Sequence, residues 1–158
     1  MTPLWQQAAV VRQTQLILQS HHRWLGRELI ERSGNEIDEA QRLFDAAVVV
    51  VSHGMEDDPL LNYGNAAALA LWEMNFEHFT RTPSRLTAEP DQREKRSRLL
   101  QRTALMGYVD DYQGVRVTKS GRRFQIYQAT IWNLLDAAEN HIGQAAAFSD
   151  YELLPTTC

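Results

Sequence analysis

The sequence predicts an α+β domain in which short helices cover a five-stranded antiparallel sheet and a long helix precedes it. Three observations lead to this prediction. A β-branched run at residues 46–53 is typical of a strand in the interior of a sheet. The last third of the chain alternates apolar and polar residues as strands do, and apolar residues in the middle recur at helical spacing. Because an antiparallel sheet must bury one face, the helical middle is expected to cover it.

The N-terminal segment is predicted to form one amphipathic helix of about 28 residues. Thr2 and Pro3 are a favourable helix start, and apolar residues then recur at intervals of three and four as far as Leu29. The sequence "RSGN" at residues 32–35 ends the helix. Such a wide apolar stripe must be buried either on the body of the domain or on a second copy of the chain.

A short helix is predicted next, at residues 35–46, and it leads directly into the β-branched strand. The turn "GMEDDP" separates that strand from its partner, "LLNYG". Asn65 follows as the predicted N-cap of an alanine-rich helix, because its side chain can accept hydrogen bonds from free N–H groups of the first turn. Gly64, just before it, is expected to permit a sharp turn from strand to helix.

A further helix is predicted at residues 91–106, after a loop-rich stretch with two prolines. Pro90 begins it, Gly107 ends it, and Met106 is expected on its inner side. Its basic residues are interleaved with acids at i,i+4 spacing. This pattern is typical of a solvated surface whose charges pair with each other, so direct binding of nucleic acid is not expected.

Three strands are predicted to complete the sheet. "YVDDYQGVRVT" and "RRFQIYQATIWNLL" form a long hairpin, and period-2 alternation places Phe124, Ile126 and Trp132 on one face. The last strand, "HIGQAAAF", places Gln144 on the inner face of the sheet.

Composition narrows the function classes. The net charge of -4 gives no sign of a nucleic-acid or membrane-surface binder. The only cysteine is Cys158, which excludes an intramolecular disulfide and a thiolate metal cluster. No stretch reaches the roughly 18 apolar residues of a membrane span, and we expect a cytoplasmic protein.

Four segments, taken in chain order, resemble the MEKHLA domain family, a group related to PAS domains. They are "SHGMEDDPLLNYGNAAALALWEM", "PSRLTAEP", "GYVDDYQGVRVTKSGRRFQIYQATIWNLLD" and "GQAAAF". The resemblance covers residues 36–149 and is to a stand-alone, bacterial-type member. It implies a PAS-like fold with a sensory or regulatory role and no established reaction. The chain is then divided into an N-terminal amphipathic helix at 1–34, a PAS-like domain at 35–150 and a C-terminal tail at 151–158.

A PAS-like fold implies a cavity between the sheet and the helical middle. The residues expected to line it are Trp72, Phe79, Arg85, Met106, Phe124, Ile126, Trp132 and Gln144. Two interpretations stay open, because such aromatic residues either surround a small ligand or simply fill the core. Arg85 likewise either faces an anionic ligand or pairs with a nearby carboxylate such as Asp57, Asp58 or Glu89, and the ion pair is favoured.

The sequence identifies no cofactor. Flavin-binding PAS relatives carry a glutamine on the strand that corresponds to the one with Gln144, but their photoreactive cysteine has no counterpart here. Adduct photochemistry is therefore excluded. A haem ligand would have to be one of five histidines, for which structural roles are the simpler expectation. They are His21, His22, His53, His78 and His141.

The expected function is that of a non-catalytic sensory or regulatory module that binds a small ligand or a protein partner, as a homodimer formed through the N-terminal helix. A flavin or haem sensor is the alternative. An enzyme of unrecognised type is a further alternative, supported only by Arg85, Glu89 and His53 near the expected cavity mouth. No catalytic motif is present, since Ser52 and His53 are neighbours on a strand and point to opposite faces.

Overall fold

The helices and strands follow one another in the predicted order, with one additional strand near the C-terminal end. The computed structural model describes residues 2–88 and 93–155. The helices are α1 (Ala8–Leu25), α2 (Glu36–Phe44), α3 (Ala66–Trp72), α4 (Phe76–Phe79) and α5 (Arg93–Met106), with 3₁₀ turns at Leu4–Gln6 and Ser84–Thr87. The strands are β1 (Val49–His53), β2 (Leu61–Gly64), β3 (Tyr108–Val117), β4 (Arg123–Leu135), β5 (His141–Phe148) and β6 (Asp150–Leu153).

The strands form one antiparallel sheet with the spatial order β2-β1-β5-β4-β3. The β-branched strand β1 lies between β2 and β5, as its apolar sequence predicts. Strand β4 is long enough to pair with two neighbours on the same edge. Its residues 130–135 pair with β5, and its residues 124–127 pair with the unpredicted strand β6.

Helices cover both faces of this sheet. Helices α3, α4 and α5 and the turn Ser84–Thr87 pack on one face, here called the cavity face. Helices α1 and α2 pack on the opposite face, here called the α1 face. The domain therefore has three layers, because the N-terminal helix buries its apolar residues on its own sheet.

Helix α1 is shorter than the predicted helix of about 28 residues. It ends at Gly26, whose φ of 71° is left-handed and whose N–H donates to the carbonyl of His22 at 2.8 Å. Glycine adopts this conformation without steric cost, so "LGR" and not "RSGN" marks the end. Ile17 and Leu18 are fully buried against the sheet, so this part of the apolar stripe is already covered within one chain.

Asn65 caps α3 as predicted, and its side chain also binds backbone groups of α2 and of the segment around β1. Its Oδ1 accepts from the N–H of Ala68 and from that of Val50, both at 3.1 Å. Its Nδ2 donates to the carbonyls of Leu43 and Val48 at 3.0 and 2.8 Å. The side chain is fully buried, so four hydrogen bonds satisfy it completely and join α2, β1 and α3.

Gly64 serves a different purpose from the one predicted. Its φ lies outside the left-handed region, so the turn itself does not require glycine. A Cβ at this position would instead lie 2.6 Å from Cε1 of Phe79. Glycine is thus needed because the Phe79 ring packs directly on the strand backbone.

A β-bulge in β4 changes which residues face the cavity. Gln128 has a φ of 50°, and two residues of β4 oppose one of β3 between the pairs Ile126–Gly114 and Ala129–Tyr112. The extra residue inverts the alternation of side chains beyond it. Trp132 therefore points to the α1 face, where its Nε1 donates to the carbonyl of Ile17 at 3.2 Å. The prediction that it shares a face with Phe124 and Ile126 is wrong.

The last turn of α5 also differs from the prediction. Leu99 and Thr103 are buried, as their spacing indicates, but Met106 is 64% exposed. The ring of Trp24 from α1 occupies the space beside Gly107 that a Cβ would need. Because α1 already fills the position beneath the end of α5, Met106 is directed into solvent.

Candidate functional site

A small cavity lies between the cavity face of the sheet and the helices above it, with a volume of about 60 Å³. A water molecule needs roughly 10 to 15 Å³ of such space, so the cavity has room for about four to six non-hydrogen atoms. Its walls come from β1, β3, β4 and β5 on one side and from α3, α4, α5 and the turn Ser84–Thr87 on the other.

The floor of the cavity is apolar and tightly packed. Trp72 is at its centre, and its ring lies 6.0 Å from that of Phe79 and 6.2 Å from that of Phe148, measured between centroids. Leu99, Ile126 and Ile131 continue this surface. The Trp72–Phe148 pair is edge-to-face and the Trp72–Phe79 pair is tilted, and such aromatic packing fixes the shape of the walls.

Polar side chains interrupt this apolar lining. Gln144 on β5 is 6% exposed, and its Nε2 donates to Oδ1 of Asn133 on β4 at 3.3 Å. Thr87 donates to the carbonyl of Ser84 at 2.7 Å, and His53 places its Nδ1 2.9 Å from the carbonyl of Gly54. A mostly apolar cavity with a few fixed polar groups is the usual form of a small-molecule site.

Arg116 supplies the positive charge of the cavity. Its guanidinium lies over the ring of Tyr112, 5.2 Å from the centroid, and its Nη1 donates to the carbonyl of Val115 at 3.3 Å. Arg116 and Tyr112 both line the cavity and are two residues of β3 whose side chains share a face. The aromatic ring holds the cation at the wall through a cation–π interaction.

The indole of Trp72 carries a buried donor without an acceptor. Its Nε1 has no hydrogen-bond partner among the described residues, and the side chain is 2% exposed. Leaving such a donor unpaired costs about 1 to 3 kcal/mol, so a buried N–H of this kind calls for a specific explanation. A water molecule or a ligand in the adjoining cavity would provide one.

The structure brings together only part of the predicted cavity lining. Trp72, Phe79, Ile126 and Gln144 lie in the wall. Phe124 lies directly behind Trp72, with ring centroids 5.3 Å apart, and contributes to the core instead. Trp132 and Met106 lie elsewhere, because of the bulge in β4 and the position of Trp24.

Arg85 lies outside the cavity. It is exposed, and its Nε donates to Asp58 at 3.1 Å, which is the favoured ion pair. Of the residues that supported an enzyme, His53 lines the cavity and Glu89 lies outside the described residues. Those three side chains therefore do not form a described catalytic group.

Among the residues that sequence reasoning missed are Tyr112 and Arg116 in the cavity wall and Asn133, which binds Gln144. Tyr112 and Arg116 could have been found, because they follow a period of two in "YQGVR" and so face the same way. Asn133 could not, because its place on the cavity face depends on the bulge at Gln128. Its Nδ2 donates to the carbonyl of Thr103 at 3.0 Å and thereby fastens α5 to the sheet.

The described residues contain neither a metal-ligand cluster nor a membrane-spanning helix. Within residues 2–88 and 93–155, no three His, Cys, Asp or Glu side chains are grouped as metal ligands would be. None of the helices in the same ranges is long and apolar enough to cross a membrane.

An antiparallel sheet of this order, with short helices that enclose a cavity on one face, defines the class of PAS-type domains. The chain belongs to the MEKHLA domain family, whose model matches residues 11–153. Most of α1 falls within the match, beyond the limits of the resemblance seen in the sequence. PAS-type sensory domains are generally non-enzymatic, in agreement with the prediction that this chain is not an enzyme.

Solved structures of low sequence identity share the fold. A PAS domain from Colwellia psychrerythraea aligns with a TM-score of 0.63 at 12% identity, over 74% of this chain and 94% of that one. A light-oxygen-voltage domain studied with a flavin analogue aligns at 0.57 and 16% identity, over 75% and 85%. A PAS domain of a two-component sensor histidine kinase aligns at 0.54 and 14% identity, over 72% and 91%. A comparison with curated protein sequences returned no match.

Proposed function

We propose that this domain is a sensory module whose signal is a small molecule bound in the cavity. The observation that carries the proposal is the unpaired indole N–H of Trp72 beside a cavity of about 60 Å³. A core that only needed to be filled would not keep both an unused donor and an empty volume.

The size of the cavity favours a small ligand over a flavin or a haem. Sites for drug-sized molecules enclose roughly 300 to 1,000 Å³, several times the volume available here. A flavin or a haem would require the aromatic wall to move apart. A ligand of a few non-hydrogen atoms fits the cavity as it stands.

Gln144 can transmit the effect of ligand binding from the cavity to helices α1 and α5. This side chain contacts Asn133, which is bonded in turn to α5 and to α1. A ligand that competes for the Gln144 amide would alter the position of both helices. This route supports a regulatory role for the domain.

Homodimer formation remains a proposal, as does binding of another protein. Since the buried side of α1 packs on its own sheet, a dimer through α1 would use the opposite side, where Ala8, Ala9 and Arg12 are exposed. Light scattering of the wild-type chain and of an Ala9→Glu variant tests this, because a dimer through that surface should dissociate when the carboxylate is added.

The cytoplasmic location expected from the sequence also stays a prediction.

A cavity-filling variant tests the proposed function. Ala146 lines the cavity, and Ala146→Leu should fill it. Ala70→Leu is the matched control, because Ala70 is exposed on α3. Native mass spectrometry of protein purified from its own host should show a small bound molecule in the wild type and in the control, and none in Ala146→Leu. Equal occupancy in all three, or none in any, would count against the proposal.

A further inference from the structure

The ligand class can be narrowed from the charges around the cavity, and this step rests on the proposed function. Among the described residues that line the cavity there is no Asp or Glu. Arg116 is therefore a cation whose charge no carboxylate of the cavity wall balances. Its one described hydrogen bond goes to the carbonyl of Val115, whereas a guanidinium has five N–H groups to donate.

A basic groove adjoins the cavity. It runs between α5 and β3 and is here called the α5–β3 groove; its volume is about 500 Å³. Lys95, Arg98 and Arg102 line it, and Asp111 is the one acid among its described lining residues. Leu99 and Tyr112 belong both to the groove and to the cavity wall, so they separate the two spaces.

Tyr112 stands at this boundary between two cations. The Nζ of Lys95 lies 5.9 Å from the ring centroid, and the guanidinium of Arg116 lies 5.2 Å from it. Arg102 pairs with Asp111, and Arg98 lies 3.9 Å from Glu94. Lys95 adds a third positive charge to the groove. On a chain with a net charge of -4, this is a local positive surface that attracts anions.

We infer that the ligand is a short-chain carboxylate of about three or four carbons, the size that the cavity volume allows. Its carboxylate is bound by Arg116 and by the indole N–H of Trp72. Its alkyl group packs against Phe79 and Ile126. The α5–β3 groove draws the anion towards Tyr112, and movement of that ring admits it to the cavity.

Calorimetric titration of the full chain with propionate and butyrate, and with the neutral amides of the same shape, tests this inference. The acids should bind the wild type, and each amide should bind at least ten times more weakly, because the amide offers no charge to Arg116. Amides that bind as well as the acids would overturn the carboxylate assignment and leave the proposed function standing. If neither series binds, the carboxylate inference fails, and the native mass spectrometry of the wild type, Ala146→Leu and Ala70→Leu decides separately whether the cavity holds a small molecule.

Substitutions at two arginines locate the binding group. Arg116→Gln should weaken propionate binding by roughly ten- to hundred-fold, the usual range for a hydrogen bond to a charged group. Arg85→Gln removes a guanidinium outside the cavity and should bind as the wild type does. Arg116→Lys keeps the charge, so its affinity should fall between those of the wild type and Arg116→Gln. Equal binding by Arg116→Gln and Arg85→Gln, with both variants folded by circular dichroism, would overturn the inference.

Discussion

Trp24 and Asn133 join two layers of the domain: the indole Nε1 of Trp24 donates to the main-chain oxygen of Asn133 at 2.9 Å. The Asn133 side chain extends to the cavity face, where it accepts from Gln144 and donates to the carbonyl of Thr103. One residue of β4 is thus bonded to α1, to α5 and to a polar side chain of the cavity wall. This arrangement gives a change in the cavity a short path to both helices.

Removal of the Asn133 side chain should loosen α5. Asn133→Ala removes one of the two donors to the buried carbonyl of Thr103, which keeps the N–H of Gly107, and leaves the buried Gln144 amide without its acceptor. The free energy of unfolding should fall by about 1 to 3 kcal/mol. Hydrogen exchange of the α5 amides should become faster. Asn140→Ala, at an exposed turn residue, is the control and should change neither quantity by as much. Unchanged exchange in α5 would show that Asn133 does not hold this helix.

Two asparagine N-caps, Asn65 and Asn75, provide a second comparison. Asn65 makes four buried hydrogen bonds, whereas Asn75 caps the N–H of His78 at an exposed position. Asn75→Ala should cost about 1 kcal/mol, as an ordinary cap does. Asn65→Ala should cost more than about 3 kcal/mol, because the N–H of Val50 and the carbonyls of Leu43 and Val48 each lose a hydrogen bond as well. Urea unfolding measures both, and equal costs would contradict the role assigned to Asn65.

Glu39 should make stability depend on acid pH. It is 2% exposed; burial alone would raise its pKa, but hydrogen bonds from Arg32, Gln15 and the N–H groups of Gly34 and Ser33 lower the pKa to about 2. Because the folded pKa is below the ordinary value of 4.5, the stabilisation is present above pH 4.5 and is lost as the pH falls towards 2. The difference corresponds to roughly 3 kcal/mol.

The free energy of unfolding of the wild type and of Glu39→Gln, at pH 7 and at pH 3, measures the contribution of the Glu39 carboxylate to stability. The variant should be less stable than the wild type at pH 7, and the difference should shrink at pH 3. Glu36→Gln, an exposed residue in the same helix, serves as the control. A difference between Glu39→Gln and the wild type that stays constant over this range would mean that the carboxylate charge does not contribute.

The bulge in β4 should tolerate glycine and reject a β-branched residue. Gln128 is exposed and has a φ of 50°, a conformation that glycine adopts freely and that valine adopts only with strain. Gln128→Gly should leave the melting temperature equal or higher, and Gln128→Val should lower it. If both variants melt alike, the left-handed backbone at Gln128 does not determine the register of β4.

Apart from β6, the sequence was sufficient to predict the order of the main helices and strands and the Asn65 cap, because each depends on local chemistry. Helical spacing, β-branched runs and cap residues act within a few positions of one another. The predicted face of Gln144 also agrees with the structure. The hydrogen bond between Gln144 and Asn133 could not be predicted, because it depends on the register between β4 and β5.

Other features depend on contacts between distant segments. The bulge at Gln128 moved Trp132 to the α1 face, and no residue in "YQATIW" marks it. The exposure of Met106 follows from Trp24, which is far away in the chain. The size of the cavity is the sum of many packing distances, and a list of aromatic residues carries no information about the volume left between them.

The most direct test of a ligand-binding cavity is the indole N–H signal of Trp72 in the ¹⁵N-correlated NMR spectrum. The chain has four tryptophans, and Trp24 and Trp132 donate to carbonyls outside the cavity, so their signals are internal controls. During titration with two- to four-carbon acids, amides and alcohols, the Trp72 signal should shift with a saturable dependence, while those of Trp24 and Trp132 move less. The shift should be absent in Ala146→Leu and retained in Ala70→Leu. A Trp72 signal that stays in place with every compound would contradict the account.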